Sequence, residues 1–149
     1  MTLMKFSSML CAASLFALPA SAQQIPKPSP GLMPNPSMGK PLYEKNCASC
    51  HGPDLKGTDK APPFLHRFYE PSHHGDAAFQ MAARNGVRAH HWNFGDMPPV
   101  PGVSPDEVAH ITAYVRMLQR KAGIRYPEGS CHITTSIMRI TLVRLEAVR

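Results

Sequence analysis

Nowhere does the sequence hold the roughly 20 consecutive apolar residues that a helical membrane span requires. Its apolar run from Met9 to Leu18 is about half that length. The run follows Lys5, the single positive charge of the N-terminus, and closes on Ala20-Ser21-Ala22, the small-x-small pattern of a signal-peptidase site. Residues 1–22 are therefore expected to be a cleaved export signal rather than a retained anchor, and Cys11 leaves with it. The mature chain is expected to begin near Gln23, to have no transmembrane segment and to reside in the periplasm. Cysteine is scarce: four in the sequence, and only Cys47, Cys50 and Cys131 once the signal is gone. Exported cysteines usually pair, but an odd number cannot close a disulfide framework, so at least one has another task. A large excess of one charge is also missing. The formal net charge of +6 falls to +5 with loss of Lys5. That excess is too mild and too evenly spread for nucleic acid, and suits an acidic protein partner or an anionic membrane surface. No segment alternates convincingly as a strand, which leaves a mostly α chain.

Helical signals are present in three places. Before them, residues 23–38 form a Pro-rich stretch with Pro26, Pro28, Pro30, Pro34 and Pro36, read as a semi-rigid, solvated linker because prolines this dense prevent a helix or central strand. Gly39 to Ala48 is helix-compatible, with Leu42, Tyr43 and Cys47 able to share a face. Gly75 to Asn85 is rich in alanine around Phe79 and Met81, and Gly86 stands where a helix would stop. Ser104 to Ala122 is the clearest. Ser104 and Glu107 predict a capping box around Pro105, Val108, Ile111, Val115 and Leu118 mark an apolar stripe, and Gly123 ends it. Residues 39–125 form a domain with few helices and long loops, too small to be secure without a staple. The tail, residues 126–149, fits a helix through Ile133, Ile137 and Ile140, or a strand through Met138, Ile140 and Leu142.

Cys47-Ala48-Ser49-Cys50-His51 is the attachment signature of a c-type haem. Two thiols three positions apart at a helix end can each add to a vinyl group on one porphyrin edge, and the next residue then offers an imidazole to the iron. The competing readings are a thioredoxin-like pair, which needs a βαβ context, and a zinc site from Cys47, Cys50, Cys131 and His132. A second iron ligand has to come from a distant loop. Met97 in Phe94-Gly95-Asp96-Met97-Pro98-Pro99 qualifies: a thioether is soft and favours ferrous iron, and two prolines restrict the loop that carries it. Met81 and Met117 fall within helices and read as packing. His90 or His91 is the alternative sixth ligand. The adjacent pairs His73-His74 and His90-His91 otherwise read as exposed loop residues. Trp92 either donates its indole N–H to a haem propionate or forms a pocket wall.

Residues 39–125 resemble the class I c-type cytochromes, the small monohaem type. Gly39 and Tyr43 resemble the glycine and aromatic with which the family's first helix meets its last, and Tyr114 resembles the aromatic of that last helix. Ala61-Pro62-Pro63-Phe64 resembles the loop whose proline carbonyl accepts the second N–H of the proximal histidine. The resemblance thus implies that Pro62 orients His51. Alanine stands before Pro62 where the family usually has glycine, and the tail after Arg125 has no family counterpart. The resemblance implies an all-α cytochrome c fold of about three main helices and long loops around one covalent haem c, with iron held by His51 and Met97. The function expected is periplasmic single-electron transfer between redox proteins, among them an oxidoreductase or a terminal oxidase or reductase, and not an enzyme activity. Docking would be transient, steered by Lys45, Lys56 and Lys60. The rivals are a haem subunit of a larger oxidoreductase complex, and a sensor or peroxidase with an open iron position.

Overall fold

Asn35 starts the first helix with its own side chain, whose Oδ1 accepts from the Ser37 N–H at 2.8 Å. Pro36 then occupies the first helical position, where the missing donor is an orphan in any helix. This computed structural model describes residues 24–125; the expected signal and the tail, with Cys131 and His132, lie outside the described residues. Helix α1 runs Pro36–Asn46 and passes through Pro41. It thus begins inside the stretch read from sequence as linker. Dense prolines disfavour a helix interior, but Pro36 suits a first turn, and the lone interior Pro41 costs the helix a single amide donor.

The rest of the Pro-rich stretch is strapped to the body. The Ser29 N–H and Oγ–H donate to the two carboxylate oxygens of Asp106 at 2.6 and 2.8 Å. The Asn35 N–H donates to Nδ1 of the buried His110 at 2.9 Å. Prolines leave few N–H groups in this segment, and two of the remaining ones find acceptors on one helix.

Helix α2 is a single turn, Ala48–His51. A 3-10 turn covers Arg67–Tyr69, and α3 covers Asp76–Asn85, ended by Gly86 at φ +74°. Helix α4, Pro105–Lys121, carries the capping box expected of Ser104 and Glu107, with Arg120 and Lys121 in its last turn opposing the dipole. Among the described residues there is no strand, only an isolated antiparallel bridge between Val87 and Met97.

The core forms where α1 crosses α4. Tyr43, Leu55, Ile111, Tyr114 and Val115 are buried together, with Phe64, Phe79 and Leu118 packed on them. Tyr43 and Tyr114 meet with centroids 5.6 Å apart, and the Tyr43 hydroxyl donates to the Gly52 carbonyl at 2.6 Å. Leu55 holds a left-handed backbone, φ 63°, which costs about 1–2 kcal/mol. Complete burial of its side chain, worth about 1.5–3 kcal/mol, offsets that cost.

Candidate functional site

Helix α1 hands directly to the sequence Cys47–His51. The Cys47 N–H closes α1 onto the Tyr43 carbonyl at 2.8 Å, and the His51 N–H bonds the Cys47 carbonyl at 2.9 Å. Helical spacing puts the free thiols of Cys47 and Cys50 one turn apart, the first half-buried and the second exposed. Burial, and after it the neighbouring Cys50, push the Cys47 thiol up to about 11.

His51 is buried, with Nδ1 2.9 Å from the Pro62 carbonyl. A carbonyl only accepts, so Nδ1 carries the hydrogen and Nε2 keeps a lone pair. The Phe64 ring stacks on the imidazole, centroids 4.1 Å apart and planes 21° apart. Burial lowers the His51 pKa, opposed by the Pro62 carbonyl, so the ring is a neutral donor. Ala61, in place of the family's glycine, is itself buried, and its carbonyl accepts from the Thr58 N–H at 3.0 Å.

Met97 sits at the neck of a loop. Its N–H and C=O exchange two 2.9 Å hydrogen bonds with Val87. Gly86 makes the neck possible, because a Cβ there would overlap the Met97 carbonyl. Inside the loop the Ala89 N–H donates to Asp96 Oδ1 at 2.8 Å.

These parts surround one cavity of about 710 Å³, lined by Cys47, Cys50, His51, Pro62, Trp92 and Met97 together with Phe64, Phe79, Met81, Val108 and Ile111. All six site residues named from sequence therefore face the same space. His74, His90 and His91 line it too. Met81, read from sequence as packing, is half-buried on the cavity wall. The Trp92 Nε1 is buried with no hydrogen-bond partner among the described residues. Burial pushes the Tyr69 hydroxyl up to about 12, opposed by the nearby indole of Trp92, but the two do not meet hydrogen-bond geometry.

A haem c suits this arrangement. The volume falls within the about 300–1,000 Å³ of cofactor pockets. The walls are mostly apolar, two thiols and a neutral imidazole with a free nitrogen stand at one end, and an orphaned indole N–H offers a donor to a charged edge group.

Sequence reasoning missed the scaffold behind the cavity. Arg116 of α4 is buried and donates from Nε to Asp76 at 2.9 Å, from Nη1 to the Tyr69 carbonyl and Gln119 Oε1 at 2.7 Å each, and from Nη2 to the His74 carbonyl. Gln119 Nε2 in turn donates to the Phe64 and Tyr69 carbonyls at 2.9 and 3.0 Å. The only available signal was that Arg116 follows Val115 on a helix flank where arginine breaks the apolar face. The histidine pairs also differ from the sequence reading. His73 and His90 are exposed as expected, but His74 and His91 are half-buried because the two loops fold onto each other. Burial foremost, then His73, His91, His90 and Arg116, lower the His74 pKa to about 4.

Residues 37–119, more than half the chain, match the family model described as cytochrome c. No curated protein and no solved structure matches the chain.

Proposed function

Because the chain belongs to the cytochrome c family and binds haem c covalently, its work is haem-based electron transfer, and we propose that it is an exported, periplasmic carrier with iron held by His51 and Met97. Haem supplies a one-electron ferric/ferrous couple. The residues of this chain decide how that couple is held. Cys47 and Cys50 tether it, and the Pro62 carbonyl keeps the proton of His51 on Nδ1 and so leaves Nε2 for the metal. Phe64 prevents the imidazole from turning. Trp92 offers its unpaired N–H to a propionate.

The observation that carries this reading is that His51 and Met97, 46 positions apart, line the same cavity, with Met97 fixed by its two bonds to Val87. A site closed by two ligands has no open position for substrate, which favours carriage over catalysis. Lys45 and Lys60 are exposed beside the attachment turn, and Lys60 reaches the cavity rim. Lys56, also exposed, is 3.3 Å from Asp54. These lysines suit a weak, salt-sensitive encounter with an acidic redox protein. No helix of the described residues is long and apolar enough to cross a membrane.

Spectroscopy of Met97→Ala tests the reading. The wild-type ferric protein should be low-spin with the weak near-infrared sulfur-to-iron band, and its ferrous form should resist carbon monoxide at neutral pH. Met97→Ala should lose the band, open the iron and lower the potential, whereas His90→Ala and His91→Ala should do none of these. A high-spin wild type that takes up carbon monoxide at once would sink the carrier reading in favour of a sensor or peroxidase.

A further inference from the structure

We propose a second metal site, built by His73, His74 and His91, that takes a borderline transition-metal dication of the zinc or copper type. The ligand nitrogens of these three imidazoles all lie within 4.8 Å of one another. His73 Nε2 and His91 Nε2 are 3.0 Å apart. Metal–nitrogen bonds of about 2.0–2.1 Å at tetrahedral angles put ligand nitrogens about 3.3 Å apart, so small ring rotations suffice. One of the facing Nε2 atoms now carries a hydrogen between them. Moving that hydrogen to Nδ1 of the same ring leaves both Nε2 lone pairs for the ion, without any redox change. The donor set is all imidazole, which suits Zn²⁺ or Cu²⁺ and disfavours Mg²⁺ and Ca²⁺, whose ligands are oxygens.

The rings are held before any ion arrives. The His73 and His74 backbone N–H groups both donate to the Glu70 carbonyl, at 3.0 and 2.9 Å, which fixes the turn that carries the two rings. Arg116 binds the His74 carbonyl, and its own charge is paired with Asp76. The Phe68 ring stacks on His91, centroids 4.5 Å apart and planes 23° apart. His73 is exposed and gives the ion a way in, while His74 and His91 reach the wall of the haem cavity. An ion here would tie the turn before α3 to the loop that ends in Met97. The site rests on the His51/Met97 reading, in which none of the three rings is an iron ligand.

The test is calorimetric titration of the mature, haem-loaded, chelator-stripped protein with Zn²⁺ and, separately, Cu²⁺. One saturable equivalent is expected for each, tighter for Cu²⁺, and none for Mg²⁺. His73→Ala and His91→Ala should each weaken binding at least about tenfold, with His132→Ala unchanged and the near-infrared sulfur-to-iron band kept in every variant. His73→Ala, at an exposed position, guards against a folding artefact. Three results overturn the proposal: no saturable heat up to about 1 mM metal, an equivalent that survives both substitutions, or a His91→Ala protein whose iron opens to carbon monoxide while that of Met97→Ala does not, which would give His91 to the iron.

Discussion

Gly39 of α1 lies directly against the backbone carbonyl of His110 on α4, so closely that a Cβ would overlap it and crowd the Tyr114 side chain. The obstacle is backbone, which cannot rotate aside. Gly39→Ala should therefore force the helices apart at the Tyr43–Tyr114 contact and cost about 1–3 kcal/mol, despite alanine's better helix propensity. A denaturant midpoint measured on the haem-loaded protein checks this. A neutral or stabilising result would mean that the crossing is looser than described.

Arg116 should matter far more than its ion-pair partner. Its side chain is 8% exposed, while that of Asp76 is 71% exposed. Arg116→Met would leave the His74 carbonyl and Gln119 Oε1 without their donor and the Tyr69 carbonyl with Gln119 alone, at a cost of about 3 kcal/mol. Asp76→Asn breaks only a solvent-screened attraction and should cost under about 1 kcal/mol. Equal losses in chemical denaturation would contradict this division.

The Ser29–Asp106 clasp should open in acid. Its hydrogen bonds, the Ser29 N–H first, hold the Asp106 carboxyl below the usual carboxylate range. A folded pKa below the unfolded one means that the clasp contributes fully above the ordinary value of about 4 and is lost as pH falls through the lower folded value. Hydrogen exchange at the Ser29 amide, corrected for intrinsic rate, should lose its protection across that window. Asp106→Ala should remove the protection at neutral pH.

Features written in a few adjacent residues were legible in the sequence. Ser104-Pro105-Asp106-Glu107 declares a helix start by local hydrogen-bond chemistry alone, and the cysteine-histidine motif declares its cofactor through one helical turn. Met97 could be singled out because its order after the motif and its following prolines are both local facts. What the sequence concealed is pairing through irregular backbone. His73 and His91 are 18 positions apart, in two loops with no periodicity to align them. Asn35 was hidden for a different reason. Dense prolines dominated the reading of residues 23–38, although a helix tolerates Pro36 at its first position.

The Val87–Met97 neck separates the position of the sulfur-bearing residue from the length of the loop in front of it. Residues 88–96 form a ring closed by two backbone bonds, and Asn93, midway round it, is exposed and off the cavity wall. Closing a ring one or two residues longer costs only a few tenths of a kcal/mol. Insertions beside Asn93 can therefore accumulate over generations while Met97 keeps its address. Evolution has here a segment in which new contacts can be tried without moving the residue at its end.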